Sequence, residues 1–468
     1  MYFKQFYDTD LAQGGYLIGC QQAGVAVVVD PRRDIGVYLA DAEANGLRIA
    51  AVTETHIHAD YLSGSRELAA ATGAALYLSD EGGPDWRYPL AHEPLVHGTT
   101  FDVGNIRLQA VHTPGHTPEH MMFLVSDLPR SEQPVLALTG DFVFVGDLGR
   151  PDLLDEAAGY VDTRFEGAQR LFESLRRHFV TLPDHVQVWP GHGAGSACGK
   201  ALGAVASTTV GYEKLTAWWA SYVANNDLDG FVAELLDGQP DAPNYFGRMK
   251  RQNRDGPALL GRREPLTEMS AADLRGRVNR DLVFIDTRTT REQWAASVPG
   301  ALAIPGGNSF ATYASWVIDP EVEERPIVLL AGSLQRAEVL RDRLSYVGID
   351  NVVGYVTSLS GFETAPLTLV TPAELQRLDN AVVLDVRTAT EHAAGHVPGS
   401  QQLHGGRVLK NLNSLPRGGK LVISCQSGGR SLAVASALRN RGFSNVVELE
   451  GSYDAWREYE RERAAAGA

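Results

Sequence analysis

Four apolar runs in the first 192 residues each end at a side chain that can hold a metal. His56 follows Ile49–Thr53, His116 follows Ile106–Val111, Asp141 follows Val135–Thr139, and His192 follows Val186–Trp189. Strands that deliver imidazole and carboxylate groups from their ends to one point build a metal site on a rigid frame. Gly115, Gly140 and Gly191 each precede one of these residues, where a sharp backbone turn lets the next side chain reach inward. One loop histidine is ordinarily a surface residue, but four such pieces in order argue for a metal. A second chemistry sits far downstream. Cys425 heads a loop containing Ser427, Gly428, Gly429 and Arg430, after the apolar run Leu421–Ser424 and before a helical stretch. A thiol there faces backbone N–H groups and a helix N-terminus, which lower its pKa and stabilise anionic sulfur, with Arg430 adding positive charge.

The elements that must position these groups are legible in outline. At 468 residues, two to four domains are expected. A net charge of −15 argues against nucleic acid or an anionic membrane as partner. Met1–Gln13 holds no run long enough for a signal peptide or membrane helix. Cys20, Cys198 and Cys425 are too few and too far apart for a disulfide framework, so a cytoplasmic location is expected. Strands are expected at Val25–Val29 and Arg48–Thr53. Helices are expected at Tyr38–Asn45, Gly64–Thr72 and Asp162–Phe179, the last with Phe165, Ala168, Leu171, Phe172 and Leu175 at helical spacing. Ala217–Trp219 and Phe231–Leu236 read as helical, and Asp237–Arg263 as a polar connector.

The remainder is an internal repeat. Asp286 and Asp385 are 99 residues apart (385 − 286), as are Val298 and Val397 (397 − 298), each of the latter opening a Val-Pro-Gly. Strands Ile327–Leu330 and Leu421–Ser424 are each followed by a turn and a helix, Gln335–Leu344 and Ser431–Arg439. Two α/β domains with parallel sheets follow. Ala331 stands in the first repeat where the second has Cys425, while Arg336 keeps the place of Arg430. The first repeat therefore lacks a nucleophile.

His56, His58, Asp60, His116, Asp141 and His192 together resemble the signature of the metallo-β-lactamase superfamily, over about residues 1–260. Tyr61 stands where that signature has a further histidine, one that helps hold a second metal in dinuclear members. One metal is therefore expected. The Thr55–Asp60, Thr113–Thr117 and Gly140-Asp141 pieces, with Gly149–Asp152, resemble the persulfide dioxygenases. That resemblance implies iron ligands at His56, His116 and Asp141, a geometry with open positions for substrate and O2. It places His58, Asp60 and His192 behind the ligands, orienting them and bound water, and Arg150 beside the substrate, where a guanidinium can fork onto a carboxylate. A tetrahedral zinc would recruit His58 as well.

The Cys425 loop, with Asp385, Arg387, His396–Gly399 and Gly451–Trp456, resembles the rhodanese sulfurtransferases over about 368–468. The resemblance implies a cysteine persulfide as covalent intermediate. A related fold uses a similar, longer loop for phosphatase chemistry. Cys198, six residues after His192, is either a second sulfur carrier beside the metal or a small loop residue, and Lys200 would favour its thiolate if the side chains met.

The expectation is an α/β multi-domain protein: an αββα metallo-β-lactamase fold over 1–262, a rhodanese-like domain without its cysteine over 263–366, and an active rhodanese domain over 367–468. The whole order resembles persulfide dioxygenase–sulfurtransferase fusions. This implies one Fe(II) per chain, a thiol persulfide (of glutathione, coenzyme A or similar) and O2 as substrates, and sulfite or thiosulfate as products. A homodimer is the default assembly. Two other readings stay open: a zinc-dependent thioester hydrolase of the glyoxalase II type, and a non-catalytic persulfide carrier or scaffold.

Overall fold

In a computed structural model, residues 1–153, 163–200 and 202–466 are described. The chain divides into two compact units, Met1–Ala242 with Phe246–Gly261, and Pro243–Tyr245 with Arg262–Ala468.

The first unit is built on two six-stranded sheets. The first orders β1 (Tyr2–Asp8), β2 (Gln13–Cys20), β3 (Val25–Val29), β4 (Arg48–Thr53), β5 (Ala75–Ser79) and β6 (Glu93–Leu95) side by side. The second orders β7 (Thr100–Val103), β8 (Ile106–His112), β9 (Met121–Asp127), β10 (Leu136–Gly140), β11 (Gln187–Pro190) and β12 (Thr208–Thr209). Strand β3 shows why both faces are covered. Val27 and Val29 join the core between the sheets with Leu108, Phe123 and Leu138, whereas Ala26 and Val28 pack outward with Tyr38 and Leu68 from helices Gly36–Ala44 and Ser65–Thr72. The second sheet is covered likewise: Val111, Ala137 and Val188 meet Leu171 and Phe172 of helix Thr163–Ser174. An unbroken apolar strand buried on both faces, between helix layers, is the αββα sandwich. The expected helix over Asp162–Phe179 starts on a residue outside the described ones, and it passes into a π-helical turn at Leu175–Phe179.

Two expectations need correction. Ala217–Trp219 lies between helices Val210–Thr216 and Ala220–Asn225 rather than in one. The polar connector contains a helix, Phe246–Asp255, whose few buried residues include Phe246, Met249 and Asn253. Its Asn253 Nδ2 donates to the carbonyls of His58 (2.8 Å) and Tyr61 (2.7 Å), and Oδ1 accepts from the Ser63 amide (2.9 Å), so this helix pins the turn after β4. Mostly polar sequence hid the periodicity.

The second unit carries two five-stranded parallel sheets with one topology. In each, the first strand pairs with the fifth, and the order continues through fourth, second and third. Thr267–Glu268, Val352–Val356, Ile327–Leu330, Val283–Asp286 and Leu302–Ala303 form one sheet; Leu369–Val370, Val446–Leu449, Lys420–Ser424, Ala381–Asp385 and Gln401–Gln402 form the other. Among the described residues no helix is long and apolar enough to cross a membrane.

Candidate functional site

Three ligand-type atoms meet at the ends of β4, β8 and β10. His56, His116 and Asp141 are all buried, and each offers an atom within 4.8 Å of the other two. Asp141 Oδ2 lies 3.8 Å from His56 Nε2 and 3.5 Å from His116 Nε2. The backbone allows this at two glycines. Gly140 has φ +50°, and a Cβ at Gly191 would sit 2.6 Å from Asp141 Oδ1. The first needs a left-handed conformation and the second needs an absent side chain.

Each imidazole is held in one tautomer from behind. His116 Nδ1 donates to the Arg150 carbonyl (2.9 Å), and His192 Nδ1 to the Ala12 carbonyl (3.0 Å). Thr55 Oγ1 donates to Asp30 Oδ2, so it accepts from His56 Nδ1 (3.0 Å). The three Nε2 lone pairs therefore face inward, as metal ligation requires. Burial, aided by the neighbouring histidines, pushes His56 well below the usual imidazole range, and burial takes His116 down to about 3. Burial raises Asp141 to about 6 against the pull of His192. Both Asp141 oxygens, Asp60 Oδ2 and His192 Nε2 are buried without a hydrogen bond of normal geometry. A cluster of desolvated, unpartnered lone pairs is costly unless a cation fills it, so these residues fit a metal.

The remaining candidates divide. His58 turns away: its Nε2 is 3.1 Å from Asp30 Oδ1. Burial would lower its pKa, but Asp30, with Glu54 and Asp60, lifts it to about 9. His192 and Asp60 stay close, with Nε2 3.4 Å from Asp60 Oδ2 and 3.6 Å from Asp141 Oδ2. Tyr61 packs on His58 at 4.5 Å between centroids, and its hydroxyl accepts from Gln13 Nε2 and points to the Asp30 carbonyl. Arg150 departs from expectation. Its guanidinium is buried and forks onto Asp152, at 2.9 Å through Nε, while Nη1 donates to the carbonyls of Ala197 and Pro240. So engaged, it braces the loop instead of presenting a fork to substrate. Cys198 is buried against Asp141, and burial with the Asp141 and Asp60 carboxylates holds its thiol well above the usual range. Lys200 does not meet it, since Nζ donates to the Glu234 carbonyl.

In the second unit, Cys425 directly follows the strand Lys420–Ser424 and is 1 % exposed. The Gly428 amide donates to its Sγ at 3.1 Å, and Ser431 Oγ (3.6 Å) and Ser452 Oγ (3.7 Å) lie beyond. Gly428 has φ +117°, and Gly429 opens the helix that runs to Asn440. Ser427 is exposed. Both terminal nitrogens of Arg430 bind Glu391 at 2.7 Å. Ala331 heads the matching turn of the first repeat, where Arg336 Nη2 donates to the Gly306 carbonyl.

Comparison with known proteins agrees with this geometry. Residues 16–192 match the model of the "Metallo-beta-lactamase superfamily", and residues 371–459 match that of the "Rhodanese-like domain". A solved metallo-β-lactamase of Staphylococcus aureus is 38 % identical, at a TM-score of 0.68; the match covers 76 % of this chain and 99 % of that one. The chain belongs to the metallo-β-lactamase superfamily. A hydroxyacylglutathione hydrolase of Polaromonas is 32 % identical over 38 % of this chain and 60 % of its own length. The mitochondrial persulfide dioxygenase of Bos taurus is 25 % identical over 40 % of this chain and 67 % of its own length. The protein is thus a metallo-β-lactamase-fold enzyme with a metal-binding site, fused to a rhodanese sulfurtransferase domain.

Several residues of the metallo-β-lactamase unit escaped the sequence reading. His120 Nε2 accepts the Asp141 amide (3.1 Å), while Nδ1 bonds Thr113 Oγ1 (2.9 Å), so it fixes the turn that aims Asp141. Asp30 holds His58 and both the amide and hydroxyl of Thr55. Lys250 Nζ lies 3.8 Å over the Trp86 ring, and burial lowers it to about 7 against the attraction of Glu119. The one signal for His120 was its place at the head of an apolar run; Asp30 and Lys250 gave none.

Proposed function

We propose that this enzyme oxidises low-molecular-weight thiol persulfides with O2 at one Fe(II) per chain, and that Cys425 moves sulfane sulfur between the products. One observation carries the reading. Asp30 holds His58, and the ligand atoms of His56, His116 and Asp141 lie within 4.8 Å of one another. Ferrous iron, when bound by His56, His116 and Asp141, supplies oxygen activation with open positions for substrate. The reaction balances as RSSH + O2 + H2O → RSH + HSO3− + H+.

The protein groups keep the site ready. The carbonyls of Arg150 and Ala12 and the Thr55 hydroxyl stop the imidazoles from rotating. Burial keeps His56 and His116 unprotonated. At Cys425, the thiolate attacks the outer sulfur of thiosulfate; a new S–S bond forms, the old one breaks and sulfite leaves, with no net redox change. The reverse delivers sulfur to sulfite. The Gly428 N–H stabilises the anion in both directions. In this reading 263–366 is a rhodanese-like domain without a nucleophile, and the setting is cytoplasmic, consistent with three unpaired cysteines.

A thioester hydrolase is the second reading, favoured by the higher identity of the hydroxyacylglutathione hydrolases. Cys425→Ser tests how the halves combine. Thiosulfate:cyanide sulfur transfer should vanish while O2 uptake with glutathione persulfide continues; loss of both would contradict two separable sites.

A further inference from the structure

The repeat without a nucleophile reaches the Cys425 loop through its helix Thr290–Ala295. A Cβ on Gly428 would lie 2.8 Å and 3.0 Å from two carbons of the Trp294 ring, and 3.1 Å from the Thr290 methyl. Gly428 therefore sits between that ring and Cys425 Sγ, to which its N–H donates. Tyr313, from the same repeat, lies over Gly429, with a ring carbon 3.8 Å from where a Cβ would be. A glycine has no side chain to restrict its own backbone, so holding its peptide in one orientation falls to an outside group. Trp294 is placed to be that group.

Trp294 is in turn held from the second repeat. Its indole N–H donates to Glu448 Oε2 (3.3 Å), and its carbonyl accepts from the Leu367 amide (3.0 Å). Glu448 is fully buried on the strand Val446–Leu449, opposite Ile423, which precedes Cys425 by two residues (425 − 423). A buried carboxylate needs a partner, and Arg439 Nη2 donates to its Oε1 (3.2 Å). Arg439 stands in the last turn of the helix that Gly429 opens. The contacts close on themselves: loop, helix end, Glu448, Trp294, and the loop again. We infer that Trp294 and Glu448 are positioning residues for sulfur transfer: Glu448 fixes the indole, and the indole fixes the Gly428 N–H on the anionic sulfur of Cys425. The first repeat thereby takes part in the reaction of the second. The inference rests on the reading of Cys425 as the sulfur carrier, and not on metal or O2 chemistry.

The test follows one turnover in the full-length protein: persulfide formation on Cys425 from thiosulfate, read by mass after rapid quenching at increasing thiosulfate. Trp294→Leu should lower the limiting rate constant roughly 10–100-fold, the cost of misplacing one donor on a developing charge. The half-saturating thiosulfate should stay within about twofold of the parent, because the lost interaction is not one that binds substrate. Trp294 is half-buried and outside the core, so the change spares the fold. Glu448→Leu should fall as far. Glu448→Gln, whose amide oxygen still accepts the indole N–H, should restore most of the rate. Trp294→Leu combined with Glu448→Leu should fall no further than either alone, since both remove one interaction. If Glu448→Leu does not fold, Trp294→Leu carries the test by itself. A near-parent limiting rate in Trp294→Leu, a change confined to half-saturation, or losses that multiply in the double variant overturn the inference. A parent protein that forms no Cys425 persulfide overturns the sulfur-transfer reading and this inference with it. A parent and Trp294→Leu that form it equally fast remove this inference alone.

Discussion

His58 Nε2 lies 3.1 Å from Asp30 Oδ1, so the second histidine of the His-x-His pair is committed to a carboxylate 28 residues upstream. The same carboxylate takes the Thr55 amide (2.7 Å) and hydroxyl (2.8 Å), and that hydroxyl positions His56. Asp30→Ala should therefore weaken iron binding by about 10–100-fold, the usual cost of losing such a partner, and should raise the zinc-to-iron ratio by freeing His58. His58→Ala should retain iron. Metal analysis of the two purified variants decides; loss of iron in His58→Ala alone would make His58 a ligand.

Arg150 should act on stability and not on substrate binding. Removing one partner of a buried ion pair costs roughly 3–5 kcal/mol, and Arg150 is 2 % exposed in its side chain. Thermal unfolding of Arg150→Ala should fall accordingly, while the KM of the folded fraction for persulfide stays near the parent value.

The first repeat shapes the Cys425 loop. A Cβ at Gly428 would lie 2.8 Å from the Trp294 ring, at a φ of +117° that side chains rarely adopt. Gly428→Ala should abolish sulfur transfer and leave persulfide-dependent O2 uptake unchanged; near-parent transfer would mean the loop tolerates both strain and clash.

Acid should loosen the Glu391–Arg430 clamp. Burial raises Glu391, but the Arg430 fork and the Thr388 bonds more than offset this and hold it down to about 2. A depressed carboxylate pKa stabilises the fold above about 4.3 and loses that contribution as pH falls toward 2. Screening at this partly exposed pair reduces the contribution to on the order of 1 kcal/mol. Unfolding profiles between pH 6 and pH 3 should fall less steeply for Glu391→Gln than for the parent.

The ligands were legible in the sequence because apolar runs announce strands, and strand ends on one side of a sandwich converge. Gly140 and Gly191 were correct signals, although Gly191 is required for space near Asp141 and not for backbone sign. The repeat was legible because each copy keeps its strands in register. The hidden features depend on distant pairing: Asp30 with His58, Asn253 with the turn after His58, and Cys198 with Asp141. Arg150 misled because local sequence shows an available guanidinium, and only the fold brings the Ala197 and Pro240 carbonyls to it.

The most direct measurement loads the full-length protein with either iron(II) or zinc(II) and follows O2 and sulfite with glutathione persulfide, alongside thioester hydrolysis. The account predicts one O2 consumed per sulfite formed, by the iron form alone, and no thioester turnover by either. Thioester hydrolysis by the zinc form, with no O2 uptake by the iron form, would contradict it.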